Sequence, residues 1–506
     1  MFIGTGTVPK PRGAYSFECI VIPLENRAHA GLWCGDRSVR RGVCTLADRV
    51  ADGTILSATR SPASGVIERL DRLSLTRLHL LIVLVCAGGF CFDVAEIAIG
   101  SALSAVFSAP PNPVAPGQLA WLLSAMYIGG IVGAPAMGWV ADRHGRKLVL
   151  SGVLLFLAVV SVAAAFSRDI QSLIVLRGIS GIALGAFPPL MISYLTDILP
   201  PRRRGTMIFL TSAVAALGPI AIIFVIRWFT PLHPLGLDAW RWAFILGSCG
   251  AGLFGLLFLL LPESPRWLFA RGRLDEAETI VQRFEASSKI DWATENAAST
   301  ELRSQPGNAP QKTNGNASLP ARIALVASLY FLSPWATVAF PLLTGVILVA
   351  KGFQLSDTLL YVGVATFGPL LGQVIAAGFI DHLERRFALA PSAAVMALSG
   401  VLFALSLSPI WLMVSGIVFT ISAQLYVPTL NLYAAELFPT KLRARATSGA
   451  WAANRVGSAI APLVLLPLLH LGGPMALFAV ILAALALSIV IVLAFAPNGR
   501  AGRAVE

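Results

Sequence analysis

Charge is scarce in this chain. Asp, Glu, Lys and Arg make up 13% of its 506 residues, against about 25% in a soluble protein. That excludes a water-exposed globule, and with it any count of soluble domains by length. Patterned cysteine is missing too. Cys19, Cys34 and Cys44 lie near the start, and Cys86, Cys91 and Cys249 lie in apolar runs. They fit no zinc, redox or disulfide spacing. No Gly-x-x-x-x-Gly-Lys-Ser/Thr occurs, which excludes an ATP-driven pump, and neither Gly-x-Ser-x-Gly nor His-Glu-x-x-His is present. The histidines His29, His79, His144, His233, His382 and His470 are scattered. No enzyme activity, cofactor or metal is expected. Residues 1–78 carry no secretory signal pattern.

What the chain has is apolar length, 56% of residues being hydrophobic. A spanning helix needs about 20 apolar residues. Twelve candidates run near 80–107, 118–141, 148–166, 170–196, 206–227, 241–261, 321–349, 358–380, 387–406, 409–434, 446–469 and 474–496. The net charge of +12 does not point to nucleic acid, because the basic residues cluster in alternate loops. The loops after spans 2, 4, 8 and 10 hold Arg143, Arg146, Lys147, Arg202, Arg203, Arg204, Arg385, Arg386, Lys441, Arg443 and Arg445. The opposite side holds Arg168, Arg227, Arg241 and Lys351. The basic side is expected to be cytoplasmic, with both termini inside. Trp121, Trp228, Trp240, Trp242 and Trp411 fall at the other ends, as an interfacial belt would.

The expected organisation is a tail over 1–66, an amphipathic cytoplasmic segment over 67–78, a six-helix bundle over 79–261, a cytoplasmic linker over 262–320, a second six-helix bundle over 321–496 and a short tail over 497–506. Residues 1–55 read as disordered, or as the product of a start codon placed too early. Residues 67–77 read as a short amphipathic helix on the inner membrane surface. Leu274 to Phe284 has helical spacing, and 293–319 has the polar composition of a flexible linker.

The two bundles repeat. At a constant offset of 239, Gly129, Gly133, Asp142, Arg146, Pro189, Tyr194, Asp197, Pro200 and Arg204 match Gly368, Gly372, Asp381, Arg385, Pro428, Tyr433, Glu436, Pro439 and Arg443. Internal repeats of this kind mark secondary transporters.

Four motifs carry a resemblance over roughly residues 67–497. Gly138-x-x-x-Asp142-Arg143-x-Gly145-Arg146-Lys147 resembles the signature loop of the major facilitator superfamily. Gly138 would let helices approach closely, and Gly145 would permit a tight turn. The second copy keeps Asp381, Arg385 and Arg386. Arg177-x-x-x-Gly181-x-x-x-Gly185 resembles the family's second motif, a small-residue packing stripe. Pro262-Glu263-Ser264-Pro265-Arg266-Trp267 resembles the sugar-porter, organic-ion and synaptic-vesicle-protein-like branches. Sugar-specific signals are missing: span 7 has no Gln-Gln-x-Ser-Gly, and span 12 runs into Phe495-Ala-Pro-Asn498. Phe92-Asp93-Val-Ala-Glu96, with the preceding Arg69-Leu-Asp71-Arg72-Leu and His79, resembles the metabolite:proton symporters, which include aromatic-acid and nicotinate carriers. The aromatic-acid carriers show Asp-Gly-x-Asp, whereas here Val94 and Ala95 fill the gap.

Asp93 lies mid-span and Glu96 one turn on, on the same face. A charge at the bilayer centre costs about 2.5–3.5 kcal/mol on insertion scales. Such acids either move protons and substrate or form a static pair with a basic residue on a neighbouring helix. Arg177 reads as a coupling or structural partner. Arg455 lies nine residues into span 11, about 13–14 Å deep at 1.5 Å per residue, and its fork suits a carboxylate. Asn454, Gln424, Tyr426, Asn431, Trp335, Tyr330, Gln373 and Phe187 are further candidates, each open between substrate contact and packing. The resemblance implies a cytoplasmic gate of Gly138, Asp142, Arg143, Gly145, Arg146, Asp197, Arg204, Glu263 and Arg266, with Asp381, Arg385, Glu436 and Arg443 in the second half.

The expectation is an all-α membrane protein: twelve transmembrane helices in two six-helix pseudo-repeats, the major facilitator fold. Its work would be proton-coupled symport of a small organic acid by alternating access. Asp93 or Glu96 would carry the proton, and Arg455 would neutralise the substrate. Alternatives are a drug or organic-cation exporter, a sugar porter, or a nutrient sensor on a transporter fold. Expected partners are substrate, protons and the lipid bilayer of the inner (plasma) membrane, with no nucleic acid, for a monomer.

Overall fold

A computed structural model describes residues 62–110, 113–201, 203–287, 319–379, 385–437 and 440–495. Nearly all of these fall in one compact unit, Ala63–Glu506. The expected tails up to residue 61 and from 496, the linker stretch 288–318, and Asp381 lie outside the described residues. So do the side chains of Arg385, Glu436 and Arg443.

In lipid a backbone must pair its own polar groups, so long apolar runs fold as helices. Among the described residues, eleven segments are long and apolar enough to cross a membrane. They begin with α1 (Arg77–Val106), α2 (Pro116–His144), α3 (Arg146–Ala165), α4 (Ile170–Ile198), α5 (Arg204–Leu232) and α6 (Ala239–Phe258). After the linker come α7 (Leu319–Ala350), α8 (Leu355–Ala376), α9 (Arg385–Leu405) and α10 (Pro409–Leu437). The last apolar segment, Trp451–Phe495, has 45 residues, about 68 Å of helix where the hydrocarbon core is about 30 Å. Gly473 breaks it at φ 68°, a conformation that glycine adopts without penalty. This gives α11 (440–472) and α12 (474–495), and twelve membrane-crossing helices among the described residues.

Glycine decides how closely these helices pack. A Cβ at Gly129 would lie 2.0 Å from the Gly178 carbonyl, and one at Gly133 would lie 2.0 Å from the Ile182 carbonyl. A Cβ at Gly181 would lie 2.0 Å from the Met126 carbonyl. The small-residue stripe of α4 therefore seats on the glycines of α2. The second half repeats the contact in the same register. Gly368 meets Thr420 and Gly372 meets Gln424, and residues 420 and 424 are the counterparts of Gly181 and Gly185. Gly138 does not share this role, since a Cβ there would meet nothing within 4 Å. Its place near the end of α2 puts it beyond the α2–α4 crossing.

Within each half α3 packs on α6, and α9 on α10 and the Thr440–Phe495 helix. Between halves α1 meets α7, α5 meets α8, and α2 meets the Thr440–Phe495 helix. The described part of the linker folds as two short helices, Pro265–Ala270 and Leu274–Ala286. The segment before α1 is helical over Pro62–Arg72, not 67–77. Its Leu70 and Leu73 are buried in the protein core. The apolar face that suggested a membrane surface is therefore taken up by protein.

Candidate functional site

Midway along α1, Asp93 and Glu96 are both buried, with relative exposures of 0% and 2%. Buried carboxylates are costly unless paired. Glu96 is paired. Arg177 of α4 donates Nη1 to Glu96 Oε1 at 3.1 Å and to the Glu96 carbonyl at 3.3 Å. The same guanidinium lies 5.7 Å over the Phe244 ring and places Nη2 3.1 Å from Met126 Sδ. Gly247 leaves room for the carboxylate, since a Cβ there would come within 3.3 Å of Glu96 Oε2.

Asp93 differs. Neither carboxylate oxygen has a hydrogen-bond partner among the described residues. The charged groups around it are Arg455 of α11 and Glu96. Arg455 lies 5.3 Å over the Trp451 ring, and its Nε is buried without a hydrogen-bond partner among the described residues. Tyr127 of α2 feels both Arg455 and Arg177. Two acids from one helix thus lie in the field of two arginines from two helices, one in each half, and only Glu96 bonds to its arginine.

The second half surrounds Arg455 with polar and aromatic groups. Asn454 donates Nδ2 to Ser333 Oγ at 3.0 Å and to the Tyr330 carbonyl at 3.4 Å. Tyr330 donates its hydroxyl to Asn431 Oδ1 at 2.6 Å and meets Trp451 edge-on at 6.3 Å. Asn454, Tyr330 and Asn431 thereby join α7, α10 and α11. The indole Nε1 atoms of Trp335 and Trp451 and Oε1 of Gln373 are buried without hydrogen-bond partners among the described residues. Gln424 packs against Gly372. Tyr426 is 1% exposed and lies beside Ser488 of α12, its hydroxyl also buried without a hydrogen-bond partner among the described residues. Phe187 packs edge-on against Phe258 at 6.1 Å in the first half.

The second cluster lies at the end of the first half that carries the basic loops. Gly145 ends α2 at φ +100°. A Cβ there would fall 2.2 Å from Glu263 Oε2, so only glycine fits. Glu263 accepts from the Arg146 and Lys147 amides at 3.0 and 3.2 Å, an anion at the start of α3. Asp197 accepts from the Arg146 guanidinium and from Ser264 Oγ, the latter at 2.6 Å. Arg266 donates Nε to the Asp197 carbonyl at 3.1 Å. Trp267 and Arg271 donate to the Asp142 carbonyl, and Arg143 stacks 3.9 Å over Trp139. Arg204, expected beside Asp197, instead donates to the Leu199 carbonyl at 3.3 Å. The α2–α3 turn delivers Arg146 to Asp197 in its place.

Sequence reading passed over Tyr127, Trp451 and Ser333. Trp451 stands four residues before Arg455, the spacing at which helical side chains meet, and could have been found. Tyr127 and Ser333 sit in apolar runs with no local signal.

Comparison with known proteins places the chain among transporters. A profile described as "Sugar (and other) transporter" matches residues 80–501. The chain is 25% identical to the putative metabolite transport protein YyaJ of Bacillus subtilis, covering 78% of this chain and 87% of that protein. It is 26% identical to the niacin transporter NiaP of Acinetobacter baylyi (79% and 89%). It is also 26% identical to the arabinose-proton symporter of B. subtilis (75% and 85%). Among solved structures, the inward-open xylose transporter XylE from E. coli shares the fold, with TM-score 0.66 and 19% identity over 84% of this chain and 98% of that one.

Proposed function

Since the chain belongs to the sugar (and other) transporter family of the major facilitator superfamily, we propose that it is a proton-coupled symporter of a small organic acid. Loop charge supports an orientation with the basic end in the cytoplasm of a bacterial inner membrane. One observation carries the substrate class: the charge of Arg455 in one half acts on Asp93 of the other, a buried carboxylate with no hydrogen-bond partner among the described residues. A guanidinium in this setting needs an anion, and its planar fork binds carboxylates through two parallel bonds. With Asp93 ionised, the carrier is internally neutral. With Asp93 protonated, Arg455 is released for a substrate carboxylate. One proton and one carboxylate would then cross together as the halves rock, and Asp93 would take Arg455 back when both leave. Glu96, held by Arg177, acts beside this exchange. The relative named as a niacin transporter supports an acid, niacin being a carboxylic acid.

A sugar is the second reading. It is favoured by the relative named as an arabinose-proton symporter and by the free polar atoms of Trp335, Trp451 and Gln373. An organic-cation exporter fits less well, because Arg455 already stands at the acid that would hold the cation. Proteoliposomes under an inside-alkaline gradient separate these readings, with nicotinate, benzoate and xylose as probes. A carboxylate should accumulate, and Asp93→Asn should abolish accumulation while carboxylate exchange partly survives. Accumulation of xylose alone would overturn the acid reading, and binding without flux would mark a sensor.

A further inference from the structure

The transport reading leaves one motif unused, Arg69-Leu70-Asp71-Arg72-Leu73 with Thr76 and His79 before and at the start of α1. Its residues hold the linker helices from two sides. Arg69 donates Nε and Nη2 to the two oxygens of Glu285, each at 2.8 Å, and Nη1 to Glu278 at 2.8 Å. These carboxylates hold the guanidinium above its usual pKa. Asp71 pairs with Arg266, the same Arg266 whose Nε reaches the Asp197 carbonyl. Thr76 and His79 form a capping box that starts α1. The His79 ring then packs on Phe284 with centroids 4.5 Å apart. Ala277, Val281 and Phe284 of Leu274–Ala286 are buried, at the spacing of one helical face. Helices of 6 and 13 residues do not persist alone in water. Partly exposed ion pairs are individually weak, so the hold comes from ion pairs, ring contact and apolar face together.

We infer that residues 69–79 are a clasp of positioning residues. Arg69, Asp71 and His79 fix Pro265–Ala270 and Leu274–Ala286 on the first half and so keep Arg266 in register with Asp197. The inference rests on reading the Asp197 cluster as a gate. Its test needs no substrate, so it can fail independently of the transport reading.

Hydrogen exchange of the full-length protein in nanodiscs provides the test. Arg69→Glu should speed exchange about tenfold across 265–286, a local opening, and should also speed it at 193–201, the Asp197 end of α4. Exchange in the rest of α1–α4 should not change. Arg69→Glu with Glu285→Arg should restore protection. Arg72→Glu, whose partner Glu68 lies on its own helix, should change nothing at 265–286. If Arg69→Glu lowers the yield of folded protein, the milder Arg69→Gln replaces it, and exchange should still speed in the same segments. Unchanged exchange at 265–286, no rescue by the swap, or loosening of 265–286 without 193–201 would each overturn the clasp as a positioning device.

Discussion

At the basic end of the first half, Arg146, Ser264 and Arg266 all donate to Asp197, and Glu263 accepts two amides from the start of α3. Midway along the bundle, Asp93 accepts no hydrogen bond, and Arg455 Nε, Trp335 Nε1 and Trp451 Nε1 donate none within the described residues. Both regions bring carboxylates and guanidinium groups together from different segments. They differ in whether the protein itself answers that charge. A network satisfied internally rigidifies the scaffold, whereas an unpaired buried group is costly to leave unmet. The first arrangement suits a gate that must hold. The second suits a site whose missing partners arrive as substrate and proton. Glu96 and Arg177 lie at the depth of the second region but are built like the first.

Four measurements would sharpen or break this contrast. The largest effect is expected at Arg177→Met, which strands the Glu96 carboxylate. Breaking a buried pair from one side costs roughly 3–5 kcal/mol, so thermal unfolding in detergent should fall steeply, and adding Glu96→Gln should recover much of it. An unshifted transition in the single variant would remove Glu96–Arg177 from the scaffold. Next is Arg455→Lys, which keeps charge but loses the fork. Calorimetric titration should show carboxylates binding about 10–100-fold more weakly, the equivalent of roughly 1.4–2.7 kcal/mol, with melting little changed. Ser264→Ala follows. It removes the bond to Asp197 and the cap on the Trp267 amide at 3.1 Å, for about 1 kcal/mol. Transport turnover should change while equilibrium binding does not, and an equal binding defect would sink the gate assignment.

The smallest effect is expected at a third place. Lys351, just past α7, donates Nζ to the Phe403 and Ser406 carbonyls at 2.6 and 2.8 Å. Burial pulls its ammonium down from 10.5 to about 8. Between those values the unfolded chain binds more protons than the folded one, so stability rises with pH through that window. The unfolding temperature should climb slightly from about pH 8 to 10, and less in Lys351→Met. A slope equal in both proteins would assign the trend to other groups.

Much of the fold was legible because the bilayer constrains it to one solution. Twelve apolar runs read as twelve helices, and the 239-residue offset between Gly129–Gly181 and Gly368–Thr420 reappears as the same contact in each half. Legibility was poorer where one residue can serve two roles. Gly138 looked like a packing glycine and is open. Arg204 looked like the partner of Asp197 and caps a carbonyl instead. Spacing along a helix specifies which face a residue shares, but not which neighbour that face meets.

By itself the sequence determined that this chain is a membrane carrier of two related halves, because hydropathy, charge asymmetry and repeats are written locally, within one helix or one turn. Only the tertiary structure decided how the charges divide. Asp93 and Glu96 are three residues apart on one helix and chemically near-equivalent. One meets Arg177 at hydrogen-bond distance, and the other feels the charge of Arg455 from the opposite half without a bond among the described residues. That distinction depends on which helices cross at that depth, a relation between residues 81 and 362 positions apart that no local pattern encodes.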